Sequence, residues 1–503
     1  MLPAGSKGGQ VKEKRKRVLF FILGIGGICS LTGCGENSKL SLANPVEITF
    51  NEVSVHDPAI VKGEDGKYDI FGSHLAVAET KNLINWVQVN AGVKNNNPVI
   101  PNVFTEMKEA FEWAQTSTFW APDVIRLQDG KYHMYYCNCQ GSKPLSALGM
   151  AVSDKVAGPY KNVGILLKSG MDSKEPDEDG NLYQPAIDPN TVDPNVFYDK
   201  DGRLWMVYGS YSGGIFSKEM EAVTGLPLES GYGKKLLGGN HLRIEAPYIL
   251  YNKDTDYYYL FLSFGGLDSD GGYNIRVSRS KNPDGPYKDS MGQDMVDCKG
   301  PDNTTFSDIT AMKYGTKLMG NYKFLWKEGE EGEERKGYLS PGHNSCLYQE
   351  ETGKYFIIYH TRFENSGEQH QVRVHQMFYN KDGWPVITPY RYTGETIGAY
   401  TEKSVAGEYK FINHGRSISE EMQESVLINL KSNGKITGEA TGTWEFSGDN
   451  TITLQIEDKT YEGVVCMQYD DDGKKYVMTF TALCQETGEA VWGSGLKAFG
   501  SLK

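Results

Sequence analysis

The chain has 503 residues, too many for one compact core, so two or three domains are expected. It is 39% hydrophobic and 23% charged, and its 58 Gly and 31 Tyr favour turns and strands over helices. The formal net charge of −13 argues against a nucleic-acid binder, which needs a basic surface.

The N-terminus reads as a targeting segment. Lys12, Lys14, Arg15, Lys16 and Arg17 form a basic start. Val18 to Leu31 form an apolar stretch shorter than the roughly 20 residues of a membrane-spanning helix. The stretch ends in Leu31-Thr32-Gly33-Cys34, which resembles the bacterial lipobox. Residues 1–33 are therefore expected to be a lipoprotein signal peptide, Cys34 the lipidation site and residues 34–45 a polar tether. The expected location is the extracellular face of a bacterial cell membrane, held only through the N-terminal lipid. Six further cysteines are scattered without zinc spacing and read as small buried apolar residues. A Cys466–Cys484 bridge has no support in the sequence.

Five stretches then share one grammar: an apolar strand opened by a polar residue, a tight turn and a second strand. The first opens at Asp57-Pro58 and turns at Asp65-Gly66. The second opens at Ala121-Pro122-Asp123 and turns at Asp129-Gly130. The third opens at Asp193-Pro194 and turns at Asp201-Gly202. The fourth opens at Glu245-Ala246-Pro247 and turns near Asp254-Thr255, and the fifth opens at Gly342-His343 and turns at Thr352-Gly353. Further strand signals follow several units. The fold class expected is all-β: a five-bladed β-propeller over residues 46–400, whose innermost strands bring their opening residues to one mouth of a channel. For Asp123 alone, a plain strand start or a supporting role is favoured.

Spacing separates two rival acids in the third unit. Asp57 and Asp193 each lie eight residues before the Asp of their turn, whereas Asp188 lies thirteen before it. Asp193 is in register, and Asp188 belongs to the preceding loop.

Two carboxyl groups flanking a glycosidic bond can hydrolyse it, and a third can tune the acid. Three carboxylates also suit a hard cation, and the residues alone leave that choice open. Trp113, Phe119, Trp120, Trp205, Tyr211 and Trp326 supply candidate sugar platforms, although most aromatics in such a fold are packing.

The motifs His56-Asp57-Pro58, Trp120-Ala-Pro-Asp123, Asn190-Thr-Val-Asp193, Tyr208-Gly-Ser-Tyr-Ser-Gly-Gly-Ile215, Ile244-Glu245-Ala-Pro-Tyr248 and Gly342-His343-Asn-Ser345 together resemble the family-43 glycoside hydrolases. Within that family they are most similar to the extracellular endo-α-1,5-L-arabinanases. The resemblance implies a propeller and an inverting mechanism, with Asp57 as general base, Glu245 as general acid and Asp193 tuning and orienting Glu245. It implies a calcium-centred water cluster at His343, and sugar subsites at Trp120, Gly141, Asn190, Ser210, Tyr211, Ser212 and Arg362. The surroundings of Gly141 depart from the family's aromatic-Gly pair. An inverting pair implies carboxyls about 6.5–9.5 Å apart. His56 is expected only to shape its turn, and His74, His133, His241, His360, His370, His375 and His414 to be packing residues. The acidic loops Ser173–Gly180 and Glu328–Lys336 are expected to be solvated surface or cleft edges.

Residues 401–503 alternate apolar and polar positions between Gly/Asp/Asn turns and read as a separate antiparallel β-barrel or sandwich without chemistry of its own. The expected partner is arabinan or an arabino-oligosaccharide, with no nucleic acid. Two alternatives remain open: an exo-acting arabinofuranosidase or β-xylosidase of the same fold, and a non-catalytic glycan-binding lipoprotein.

Overall fold

The computed structural model describes residues 48–170, 180–330 and 336–501. The signal peptide, the tether and Cys34 lie outside the described residues, as does most of the acidic loop at 173–180.

The fold is all-β, with four-stranded antiparallel sheets in a propeller-like arrangement followed by a barrel. The first sheet is β1 (Ala59–Lys62), β2 (Tyr68–Gly72), β3 (Ala76–Thr80) and β4 (Trp86–Asn90). Two short helices, α1 (Val103–Glu106) and α2 (Lys108–Ala114), lead to β5 (Trp120–Arg126), β6 (Tyr132–Cys139), β7 (Ser146–Ser153) and β8 (Lys161–Ser169). The next sheet is β9 (Asn195–Tyr198), β10 (Leu204–Tyr208), β11 (Ile215–Met220) and β12 (Lys234–Leu237). A fourth run is β13 (Ile244–Asn252), β14 (Tyr257–Phe264), β15 (Asn274–Ser280) and β16 (Thr316–Met319). After β17 (Tyr322–Lys323), the last run is β18 (Tyr338–Gln349), β19 (Lys354–Phe363), β20 (His370–Tyr379) and β21 (Pro385–Ile387).

The turn chemistry explains the hairpins. Gly66, Gly130 and Gly202 each sit at φ +80, a left-handed conformation that glycine adopts without steric cost. The first strands of the runs touch in a closed cycle: β1 on β5, β5 on β9, β9 on β13, β13 on β18 and β18 on β1. The apolar cores lie between neighbouring runs. Phe71 and Val77 pack with Val124 and Tyr132, Leu127 and Tyr135 with Val196 and Leu204, and Phe197 and Trp205 with Ile244 and Tyr258. The circle closes where Ile60 and Ile70 pack with Phe356 and Ile358. Burying both faces of each sheet in this way needs no helical layer.

The C-terminal strands are β22 (Gly407–Asn413), β23 (Gln423–Glu424), β24 (Val426–Leu430), β25 (Lys435–Gly438), β26 (Gly442–Phe446), β27 (Thr451–Ile456), β28 (Lys459–Asp470), β29 (Lys475–Cys484) and β30 (Glu489–Ser501). β22 and β24 to β30 pair in succession, and β30 pairs with both β22 and β29, which closes a barrel. Trp444, Leu454, Tyr461 and Phe480 help to fill it.

This barrel is less separate than the sequence suggests. β30 pairs in parallel with β16, and β23 with β17, so backbone bonds run between barrel and propeller. Arg276, Lys317 and Arg416 reinforce the seam by donating to backbone carbonyls across it. One residue of the loop expected as solvated surface departs from that expectation. Glu330 is withdrawn from solvent and ion-paired to Lys410 and Lys475 of the barrel, because those two buried cations need an anion. The six described cysteines are buried free thiols, and no bridge joins Cys466 to Cys484.

Candidate active site

The opening residues are set by backbone geometry that ordinary strands avoid. Asp57, Asp193, Ala246 and His343 have φ of 58°, 55°, 56° and 46°. Register shifts interrupt β13 between Glu245 and Tyr248, and β18 between Gly342 and Ser345. Each such conformation costs about 1–3 kcal/mol for a residue with a Cβ. Pro58, Pro194 and Pro247 follow three of these residues, where the missing N–H disrupts no ladder bond. The result aims side chains out of the sheets toward one place.

Asp57 is buried and clamped by nitrogen. Its Oδ2 lies 2.8 Å from His56 Nδ1, and its Oδ1 3.0 Å from His343 Nδ1 and 3.6 Å from His360 Nδ1. Ser73 Oγ donates to Oδ2, and the Asp57 backbone N–H donates to His360 Nδ1 over 3.1 Å. Burial alone pushes this carboxyl up. The charges and hydrogen bonds of His343 and His56 outweigh that and hold it well below the usual carboxylate range. His343 is itself pushed up to about 9: burial opposes its charge, but Asp57 and then Asp193 and Glu245 favour it.

Glu245 sits in a different environment. Ser210 Oγ donates to its Oε2 and the Tyr273 hydroxyl to its Oε1, each over 2.8 Å. Burial raises its pKa above the ordinary glutamate value. Asp193 accepts the Ala246 N–H at Oδ2 over 3.2 Å. Burial pushes it up to about 8, with His343 opposing and Glu245 and Asp57 adding to the rise. Glu245 and Asp193 titrate as a pair, because two neighbouring buried carboxyls resist joint ionisation. An ionised carboxylate facing a protonated one is what acid–base hydrolysis requires.

Asp123 does not join them. Its Oδ2 accepts Asn195 Nδ2 over 3.0 Å and the Val196 N–H over 2.7 Å, stapling β5 to the start of β9, and burial raises it to about 6. Asp188 lies in the preceding loop and accepts the Gln184 N–H over 2.6 Å.

The subsite residues fall into two groups. Ser210 bonds Glu245, Tyr211 lies near it with its hydroxyl donating to Gly265 O over 3.3 Å, and Ser212 follows them in the chain and accepts the His241 N–H. Trp120 is half-buried at the start of β5, and Gly141 lies so close that a Cβ there would stand 3.5 Å from the indole. Asn190 is buried, its Oδ1 accepting from Ser146 Oγ over 2.6 Å. Arg362 is buried, donating from Nε to Glu368 over 2.5 Å, with Nη2 3.5 Å from His56 Nε2. Among the candidate platforms, Phe119 and Trp205 are core residues, whereas Trp326 is 51% exposed.

Two expectations about histidine are corrected. His56 does more than shape a turn, since it bonds the Asp57 carboxylate. His360 is no ordinary packing residue: it takes the Asp57 N–H, and its ring stacks on His56 with centroids 4.0 Å apart. Ser73 and Tyr273 carried no sequence signal, because neither lies in an opening motif. The His-Thr-Arg run at 360–362 marked Arg362 and held the signal for His360 as well.

The resemblance to family 43 implies calcium near Asp57. Calcium takes about six to eight oxygen ligands. Among the described residues, His56, Asp57 and His360 form a cluster with ligand atoms within 4.8 Å of one another, and two of the three are nitrogens. His343 commits Nδ1 to Asp57, so Nε2 is its remaining ligand atom. This nitrogen-rich set suits only a cation that keeps most of its shell as water. A cavity of about 1120 Å³ between Glu52, Tyr338, His370, Arg373 and Arg391 lies elsewhere, and none of the three acids lines it.

Comparison with known proteins agrees with this geometry. The profile of glycosyl hydrolases family 43 matches residues 43–308, and that of a C-terminal lipocalin-like domain matches residues 389–493. The chain is 55% identical over 446 residues to extracellular endo-alpha-(1->5)-L-arabinanase 2 of Bacillus subtilis, covering 88% of this chain and 93% of that protein. It is 50% identical over 453 residues to extracellular endo-alpha-(1->5)-L-arabinanase of Thermotoga petrophila, covering 88% and 94%. The crystal structure of endo-1,5-alpha-L-arabinanase from Thermotoga petrophila superposes with a TM-score of 0.85 at 49% identity, covering 90% of this chain and all of that one.

Proposed function

This chain belongs to family 43 of the glycosyl hydrolases, with a C-terminal lipocalin-like domain, and from that premise we propose that it cleaves α-1,5-linked L-arabinan internally and with inversion. The observation that carries the reaction is the opposite tuning of two carboxyls: Asp57 held ionised among imidazoles, and Glu245 raised by burial against its hydroxyl donors. Asp57 takes a proton from water as that water attacks the anomeric carbon. Glu245 gives its proton to the glycosidic oxygen as the bond to it breaks. Asp193 orients the strand of Glu245 through the Ala246 N–H, and the two buried carboxyls resist joint ionisation, so that the site retains a proton for the leaving group. The relatives' names support arabinan as the substrate and an extracellular location.

We read the five four-stranded runs as blades of one propeller, a reading supported by the cycle of first strands. Trp120, Gly141, Asn190, Tyr211, Ser212 and Arg362 are assigned to the sugar cleft, with Ser210 holding Glu245. His343 is the proposed protein ligand of a water-shelled calcium ion; binding through Nε2 would require the neutral ring, and the ion would then replace the imidazolium charge beside Asp57. The sequence at residues 12–34 supports lipid attachment at Cys34, tested by loss of membrane fractionation in Cys34→Ser.

The test of the activity is incubation with linear arabinan. Expected are an early fall in viscosity, a ladder of oligosaccharides and first-formed products of inverted anomeric configuration. Release of arabinose alone, or cleavage of xylan instead, overturns the reading.

A further inference from the structure

Tyr273 has no place in the roles above, yet it touches the acid and reaches toward the base. Its hydroxyl donates to Glu245 Oε1 over 2.8 Å, while Ser210 holds Oε2, so both oxygens of the carboxyl are fixed. Tyr273 is 1% exposed. Its ring lies nearly parallel to that of His360, 24° between planes and 6.2 Å between centroids, and His360 Nδ1 accepts the Asp57 N–H. A continuous path of side chains thus runs from Glu245 through Tyr273 and His360 to the backbone of Asp57.

A second, independent observation concerns Gly342, one residue before His343. A Cβ at Gly342 would lie 2.1 Å from Cδ1 and Cε1 of Tyr273. Gly342 is not among the glycines with positive φ, so conformation does not demand it. The demand is for space: the strand drops its side chain where the phenol ring passes.

We propose that Tyr273 is a positioning residue for hydrolysis, orienting Glu245 through its hydroxyl and setting the distance between acid and base through its ring. This rests on the reading of Glu245 as general acid. The groups facing Glu245 are Ser210 and Tyr211 ahead of β11, Ser263 opposite it on β14, Tyr273 ahead of β15, and the charges of Asp57, Asp193 and His343. Of these, the phenol is a neutral donor to the carboxylate form. Its removal favours the protonated form and moves the basic limb of the pH profile upward.

The experiment compares wild type, Tyr273→Phe and Glu245→Gln on linear arabinan and on a nitrophenyl arabino-oligoside, whose leaving group needs no proton. Tyr273→Phe keeps the ring and is expected to fold with an unchanged melting temperature. On arabinan its kcat should fall about tenfold or more with KM nearly unchanged. Its basic limb should move to higher pH, and the loss should shrink on the nitrophenyl substrate. Gly342→Ala, which displaces the ring, should reproduce the selective loss. Unchanged kcat and basic limb in Tyr273→Phe, or equal losses on both substrates, overturn the proposal. If Glu245→Gln keeps its activity on arabinan, the acid assignment itself falls, which is a different result from the failure of Tyr273 alone.

Discussion

His343 Nδ1 stands 3.0 Å from Asp57 Oδ1, although 286 positions separate the two in sequence. The contact joins the opening of the first repeat to that of the last. Together with His56 on Oδ2, it makes Asp57 the carboxyl that stays ionised.

On the proposed mechanism, replacing Asp57 by Ala or Asn removes the group that accepts the proton from water. Arabinan hydrolysis is expected to fall about 10²- to 10⁴-fold with the fold intact. Reducing-end release and a circular dichroism melt check both halves of the statement. Substantial residual turnover in the folded variant would refute the role of Asp57.

The raised pKa of Glu245 fixes the sign of the basic limb. As the proposed general acid it is active while protonated, so kcat/KM should fall as pH rises through that pKa. Asp193→Asn leaves Glu245 to titrate alone, and the limb is expected to move to lower pH. A pH profile of the variant that coincides with wild type would contradict the pairing.

Glu330 ties the propeller side to Lys410 and Lys475, and these cations hold it at about 2, against burial. Its folded pKa is depressed. The stabilisation is therefore present above the unfolded glutamate value and is lost as pH falls from about 4.5 toward 2. Acid unfolding of Glu330→Gln should be less steep across this window. At neutral pH the variant should be less stable by on the order of 2 kcal/mol, since two buried lysines lose their partner. Denaturant titrations at pH 7 and pH 3 measure both effects.

If His343 holds a calcium ion, chelation should lower the melting temperature and added calcium should restore it. In His343→Ala the calcium response should vanish. Calorimetric titration with calcium reads this directly, and an unchanged response in the variant would exclude His343 as the ligand.

Sequence spacing carried far at this site. Asp57 and Asp193 were legible because each opens a strand eight residues before the Asp of its turn, and Glu245 and His343 because they open the matching strands of later repeats. Asp123 had the same grammar but serves β9, a difference that depends on where its strand points. Glu330 looked like solvated charge, since an acidic loop does not reveal that two lysines far along the chain reach it. Ser73, Tyr273 and His360 were missed for the same reason: their significance comes from what they touch.

The sequence by itself determined the β hairpins, the repeat and the acids that open it, because turn chemistry and alternation are local properties. Only the tertiary structure decided which acid is ionised, since that depends on His56 and His343 surrounding Asp57 and on the burial of Glu245. It also decided that the barrel continues the propeller's sheet, because strand pairing between distant segments leaves no mark in either segment alone.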